Sequence, residues 1–132
     1  MKTLTFRCAL LALCLAGAVS LSAADQPSFT RKVLVEQDLT TPGRHGTLSL
    51  ATLAPGAVTP RHKHPGEEFA YILEGTVVLE VEGQAPRTLQ ADEAVIVPAG
   101  VAHVARNAGT GPVKILSTYF LEAGQPLAIP VK

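Results

Sequence analysis

The stretch R-H-K-H-P-G-E-E-F-A-Y-I-L-E-G, residues 61–75, joins a polar cluster to the alternating pattern of a half-buried strand. Side chains two residues apart on a β-strand share a face. His62 and His64 therefore point the same way, and Glu68 returns to that side after the Pro65-Gly66 turn. Two imidazoles and a carboxylate on one surface are ligands suited to a divalent transition metal.

The chain around this stretch consists of short apolar runs separated by glycine, proline and acidic turns. Strand-length runs rich in β-branched residues cover residues 47–53, 68–74, 76–82, 94–97, 102–106 and 113–120. Short strands at a spacing of about ten residues are typical of an all-β sandwich or barrel. No stretch between residues 47 and 122 keeps a helical apolar period. We therefore predict an all-β barrel domain over residues 47–122, preceded by an arm (25–46) and followed by an extended tail (123–132).

The first 24 residues have the pattern of a secretory signal peptide. Lys2 and Arg7 accompany an apolar run at residues 8–21, and residues 22–24 offer small side chains for cleavage. The run is shorter than the roughly 20 residues of a membrane-spanning helix. An uncleaved membrane anchor is the alternative. We predict a periplasmic or secreted protein that has no membrane attachment after cleavage.

Cleavage after Ala24 would change the charge and the chemistry of the chain. The 132 residues carry 11 basic and 11 acidic side chains, and Lys2 and Arg7 would be lost with the signal. Cys8 and Cys14 would also be lost, which leaves neither a disulfide nor a thiol. The chain has no Trp, few other aromatic residues and no basic stripe. These features argue against a nucleic-acid partner, because phosphate contacts and base stacking both lack their usual residues.

The spacing of the polar cluster resembles the first motif of the cupin family, G-x5-H-x-H-x3-E-x6-G. Gly56 and Gly75 stand at its two ends, and His62, His64 and Glu68 occupy its three polar positions.

The second cupin motif, G-x5-P-x-G-x2-H-x3-N, is matched by Pro98, Gly100, His103 and Asn107. Its first glycine is replaced by Asp92, a change that bears on the local turn and not on the ligands. The two motifs together cover residues 56–107.

The resemblance implies a conserved β-barrel of jelly-roll type, a double-stranded β-helix, with one metal ion. The ligands that it implies are His62, His64, Glu68 and His103. Three neutral imidazoles and one carboxylate suit a divalent transition metal, with Fe, Mn, Ni, Co, Zn and Cu as candidates. A hydrogen-bonded polar cluster without metal is the alternative. Glu67 competes with Glu68 as the acidic ligand, and both strand parity and motif spacing select Glu68.

The resemblance to small quercetinase-type cupins implies a mononuclear, dioxygenase-like enzyme for a small enol or phenol substrate. Glu68 would then be a ligand and also the catalytic group that accepts the substrate proton. The alternatives are a non-enzymatic, metal-containing protein that binds a sugar or another small molecule, and a cupin isomerase or decarboxylase. An oxygenase needs an apolar pocket beside its metal. The residues expected to face inward are small or apolar and favour the enzyme: Ala70, Ile72, Ala105 and Leu50.

The resemblance also implies a homodimer. Residues 29–39 could add a strand to a partner's sheet and so cover an open edge. Five further residues are predicted to serve in packing: Phe69, Tyr71, Leu73, Val78 and Val81. Phe69 and Tyr71 are expected on the face of their strand opposite Glu68. His45 lies outside both motifs and is predicted to be a surface residue.

Overall fold

The computed structural model describes residues 28–132, and within that range the chain forms ten β-strands and no helix. The strands are β1 (Phe29–Asp38), β2 (Arg44–Leu53), β3 (His62–Lys63), β4 (Glu67–Glu74), β5 (Thr76–Val81), β6 (Arg87–Gln90), β7 (Ala94–Val97), β8 (His103–Asn107), β9 (Val113–Glu122) and β10 (Ile129–Pro130). The predicted all-β fold is confirmed. Residues 28–132 contain no helix long and apolar enough to cross a membrane. The predicted signal peptide lies outside the described residues.

The strands form two five-stranded antiparallel sheets. The first has the order β1-β2-β9-β4-β7, and the second has the order β10-β3-β8-β5-β6. In β4 every second side chain is buried, from Glu68 through Ala70 to Ile72, so the strand has one face inside and one outside. Apolar side chains from both sheets form the common core, among them Leu53, Ile72, Val77, Leu89, Val97 and Val113.

Both segments that flank the predicted barrel join its sheets. The arm forms β1, which pairs with β2 of the same chain from Phe29 to Asp38, and β2 begins at Arg44, before the end of the predicted arm. Strand exchange between two chains stays a prediction. The tail adds β10, whose Ile129 pairs with Lys63 of β3. The tail therefore lies against the strand that carries His62.

The inward face of β2 is the opposite of the one expected. Leu50 is only half-buried, whereas Ser49, Ala51 and Leu53 are buried. The prediction that Leu50 faces inward is therefore wrong. An apolar side chain does not mark the inner face here, because this end of the barrel interior accommodates polar side chains such as Ser49.

Three of the residues predicted to serve in packing lie on the outer face of the first sheet. Phe69, Tyr71 and Leu73 are 44%, 38% and 45% exposed, because they alternate with the buried positions of β4. Phe69 and Tyr71 thus lie opposite Glu68 as expected, and none of the three is buried within a single chain. Val81 is buried as predicted, and Val78 is half-buried.

Candidate metal centre

Both sheets contribute to the polar cluster. His62 on β3 pairs directly with His103 on β8 in the second sheet. Glu68 on β4 pairs with Tyr119 on β9 in the first sheet, and His64 lies between β3 and β4. All five side chains are buried. The four residues predicted as ligands are thus brought together in the space between the sheets.

The distances within the cluster match those between ligands of one ion. The imidazole nitrogens of His62, His64 and His103 include one set that lies within 4.8 Å of one another. Oε2 of Glu68 lies 3.2 Å from Nε2 of His64 and 3.3 Å from Nε2 of His103. Two ligand atoms about 2.1 Å from an ion stand about 3.0–3.4 Å apart at octahedral or tetrahedral angles. Glu67 is exposed on the other side of β4.

Backbone carbonyl groups orient all three imidazoles. The Nδ1 atom of each ring faces one carbonyl oxygen: that of Pro60 for His62 (2.7 Å), of Leu127 for His64 and of Val101 for His103 (3.1 Å). A carbonyl oxygen only accepts, so each Nδ1 must donate. In the neutral ring Nε2 then carries the lone pair. A metal-binding histidine typically has this arrangement, with one ring nitrogen free for the metal and the other donating to a second partner.

One contact inside the cluster would be stabilised by a cation. Nε2 of His64 is buried and has no hydrogen-bond partner among residues 28–132. Its neighbour Oε2 of Glu68 is at ion-pair distance but outside hydrogen-bond geometry. A nitrogen lone pair and a carboxylate oxygen that face each other repel, and a divalent ion between them would remove that repulsion. The donor set therefore fits the metal that the cupin resemblance implies.

The protonation states of His62 and Glu68 are those required of metal ligands. Burial is the main cause that lowers the pKa of His62 to about 4; the Pro60 carbonyl opposes the shift, and the electrostatic influence of His103, His64 and Arg31 adds to it. Burial alone would raise the pKa of Glu68, but the neighbouring His103 and His64 imidazoles hold that pKa below its ordinary range. At neutral pH His62 is neutral and Glu68 is ionised.

Tyr119 is a member of the cluster that the sequence analysis missed. Its hydroxyl donates to Oε1 of Glu68 at 3.1 Å. Burial, and then the charge of Glu68, raise the pKa of Tyr119 to about 12, so the hydroxyl stays protonated. Tyr119 belongs to no motif. Strand parity alone could have placed it inside, because it shares the inner face of β9 with Ser117 and Ile115.

The cluster forms one wall of a cavity inside the barrel. Ala70, Ile72 and Ala105 line this cavity as predicted, whereas Leu50 does not. Most of its other lining residues are apolar: Ala51, Leu53, Val77, Leu79, Leu89, Val95, Val97 and Ile115. Phe29 and Arg31 of β1 also line it, although the sequence pointed to neither as a site residue.

Asn107, the last residue of the second motif, stabilises the backbone rather than the cluster. Its amide nitrogen donates to the carbonyl oxygens of Leu53 (3.0 Å) and Gly111 (2.9 Å). Its side-chain oxygen accepts from the backbone amide of Gly109 at 2.9 Å. The side chain is thus fully used in holding the β8–β9 connection.

The sequence model of the cupin domain matches residues 49–119, which is more than half of the chain. The chain belongs to the cupin family. Solved cupin structures have the same fold. One is a cupin superfamily protein from Desulfitobacterium hafniense, with a TM-score of 0.61, 23% identity and coverage of 78% of this chain and 86% of that one. A further solved structure with a similar fold is the DMSP lyase DddQ from Ruegeria pomeroyi, with a TM-score of 0.68, 23% identity and coverage of 85% of this chain and 56% of that one.

A curated relative matches this cupin at higher identity over a shorter stretch. The tetracenomycin polyketide synthase protein TcmJ from Streptomyces glaucescens is 36% identical over 72 residues. The match covers 54% of this chain and 48% of TcmJ. The cupin therefore spans about half the length of this relative.

Proposed function

We propose that this cupin is a metal-dependent, dioxygenase-like enzyme that acts on a small enol or phenol inside the barrel. The observation that carries the proposal is the convergence of three Nε2 lone pairs and one carboxylate on the wall of an apolar cavity. A bound divalent transition metal would supply a Lewis acid and open coordination positions for substrate and dioxygen.

The residues around the cluster have separable roles in this proposal. Glu68 offsets part of the ion's charge and accepts the proton that a substrate hydroxyl must lose. Its lowered pKa makes it a weak base, so its role as ligand has the stronger support. Tyr119 fixes one oxygen of Glu68 and leaves the other turned toward His64 and His103. Apolar walls exclude water, which strengthens electrostatic interactions inside the cavity.

The substrate class is supported by the cavity and by a relative. A sugar-binding site would require several polar side chains along its walls, whereas most of the lining here is aliphatic. TcmJ is a polyketide synthase protein, and polyketides carry carbonyl groups that enolise readily. A small-molecule binding protein and an isomerase or decarboxylase use the same ligands and are separated from the oxygenase by the experiment below.

The test is metal analysis of the protein purified from its native compartment, followed by a dioxygen-uptake screen over phenols and enols. We expect about one transition-metal ion per chain and uptake that His103→Ala abolishes. His45→Ala is the matched control, because His45 pairs with Asp38 away from the cluster. Bound metal without dioxygen uptake, but with substrate turnover or tight binding, would favour one of the two alternatives. Absence of metal from protein purified without chelator would contradict the proposal.

We also propose that the protein is exported, because residues 1–24 have the pattern of a secretory signal. Amino-terminal sequencing of the periplasmic or secreted protein should begin near Asp25. A chain that keeps Met1 in the cytoplasm would contradict export.

Finally, we propose a homodimer. The outer face of the first sheet exposes Phe69, Tyr71, Ile96 and Phe120, an apolar patch of the kind that commonly marks a protein interface. Sedimentation should show two chains per particle at micromolar concentration. Ile96→Lys should shift the particle toward one chain, because Ile96 is 55% exposed on this face, whereas Gln84→Lys in the β5–β6 turn should not. A monomeric wild type would contradict the proposal.

A further inference from the structure

Arg31 places a cation on the wall of the cavity. It lies on β1, half-buried, with its guanidinium carbon 5.5 Å from the ring centre of Phe29 and 5.9 Å from that of Tyr119. Within residues 28–132 no carboxylate lies at ion-pair distance from it. The two aromatic rings hold the guanidinium by cation–π contacts without neutralising it.

The hydrogen-bond donors of Arg31 are largely unused. Its Nε is buried and has no partner among the described residues. Its Nη2 lies 3.4 Å from Nε2 of His62, which is a long hydrogen bond. Nε and Nη2 form one edge of the guanidinium, and such an edge can make two parallel hydrogen bonds to a carboxylate. The edge best suited to an acid therefore faces the candidate metal centre.

Metal binding to His62 would also free Nη2 of Arg31 from its hydrogen bond to that histidine. Nδ1 of His62 donates to the Pro60 carbonyl, so Nε2 has one lone pair, which either Arg31 or an ion can use. An ion on Nε2 would leave the whole edge of Arg31 without an acceptor. Two cations would then stand side by side in an apolar cavity, an arrangement that an anion between them would stabilise.

We propose that Arg31 binds the carboxylate of the small-molecule ligand, so that the substrate of this cupin is an acid with an apolar body. This inference rests on the proposed metal-binding function. It assigns Arg31 to substrate recognition: the guanidinium orients the acid, the aliphatic walls contact its body and the ligand histidines lie beside its polar end.

The test compares benzoate with benzamide, two probes of nearly equal shape that differ in charge. Protein loaded with Co(II) is titrated with each probe, and binding is followed by calorimetry and by the visible spectrum of the cobalt. We expect benzoate to bind more tightly than benzamide. Arg31→Gln should weaken benzoate binding about tenfold to hundredfold, the effect of losing hydrogen bonds to a charged group, and should leave benzamide unchanged. Arg31→Lys should keep part of the preference for benzoate.

The controls separate this inference from the proposed function. Lys32→Gln changes the exposed cation next to Arg31 on the same strand and should behave as the wild type. Cobalt content and melting temperature are measured for every variant, and Arg31→Lys serves if Arg31→Gln fails to fold. Equal benzoate affinity in wild type and Arg31 variants that retain cobalt would overturn the inference and leave the metal site standing. Wild-type protein that takes up no cobalt would overturn both. Inorganic phosphate that binds as tightly as benzoate, with the same dependence on Arg31, would overturn the assignment to an organic acid.

Discussion

Asp92 adopts a backbone conformation that glycine adopts most readily. Its φ is 70°, and among the described residues it is the one non-glycine residue with a positive φ. It stands where the second cupin motif has glycine. Aspartate tolerates this left-handed region better than most residues. The substitution therefore keeps the turn before β7, and the hydroxyl of Tyr71 donates to the Asp92 carboxylate at 2.8 Å.

The stability of Asp92 variants should follow their tolerance of positive φ. We expect Asp92→Gly to stay within about 1 kcal/mol of the wild type in free energy of unfolding, and Asp92→Val to lose about 1–2 kcal/mol. Urea unfolding measures both. Tyr71→Phe controls for the lost hydrogen bond, which is exposed and should matter little. A valine variant as stable as the glycine variant would contradict the backbone argument.

The buried His62 should make the metal-free protein sensitive to acid. In the unfolded chain a histidine binds its proton near pH 6.5, whereas burial lowers the pKa of His62 in the fold to about 4. Between these values the unfolded chain binds more protons, so the free energy of unfolding is complete above pH 6.5 and falls as the pH decreases toward 4. Urea unfolding of chelated protein at pH 7 and pH 5 measures the loss, which His62→Gln should reduce. A wild-type protein that is equally stable at pH 7 and pH 5 would refute this prediction.

The four histidine and glutamate members of the cluster could be predicted from the sequence, whereas the orientation of their side chains could not. The motif spacing and strand parity identified His62, His64, Glu68 and His103, and the structure brings them together. The carbonyl groups that fix each imidazole could not be predicted, because every residue has a carbonyl and its position depends on the whole fold. The carbonyl of Leu127 comes from the tail, 63 positions after His64.

At the level of strands, the turn between β3 and β4 is held against β9. A Cβ atom on Gly66 would overlap the carbonyl oxygen of Phe120 and lie 2.7 Å from its carbon. Only glycine lets the turn come this close to the backbone of Phe120. The position of the turn then sets the distance between His64 and Glu68, which lie on either side of it. The glycine is thus a requirement of the site as well as of the fold.

Gly66→Ala should therefore weaken both the fold and metal binding. We expect a loss of about 1–3 kcal/mol in the free energy of unfolding, typical of an overpacked position, and a lower affinity for Co(II). Gly111→Ala is the control, because nothing lies within 4 Å of a Cβ added there. Unfolding curves and cobalt titrations compare the two variants. A Gly66→Ala protein indistinguishable from Gly111→Ala would show that the turn can move away from β9 without cost.

Strand alternation can be recognised in the long strands β4 and β9 and not in strands of two residues. β4 and β9 are long enough to show a period of two residues, whereas β3 and β10 have two residues each and show none. The inner face of β2 was reversed, because the cluster end of the barrel accepts Ser49 inside while Leu50 lies half-buried outside. The rule that apolar side chains mark the inward face of a strand is least reliable beside a polar site.

On the scale of the whole molecule, the candidate metal centre links the two sheets. His62 and His103 belong to the second sheet and Glu68 belongs to the first, so an ion shared by them would join strands that have no backbone hydrogen bonds to each other. Without an ion, the three imidazoles are desolvated beside one another, and protonating them would place like charges together. An ion would therefore stabilise the fold as well as supply chemistry.

Removal of the metal should lower the melting temperature. An ion that binds only the folded chain adds about 2.7 kcal/mol when its free concentration is a hundredfold above its dissociation constant. The gain should shrink as the pH falls toward 4, because His62 must be neutral to bind a metal ion and its pKa in the folded chain is about 4. His103→Ala should lose both the metal and the gain, whereas His45→Ala should lose neither, since His45 pairs with Asp38 outside the cluster. Thermal unfolding with and without chelator measures the difference. Equal melting temperatures for a protein shown to have carried metal would mean that the two sheets hold together without the ion.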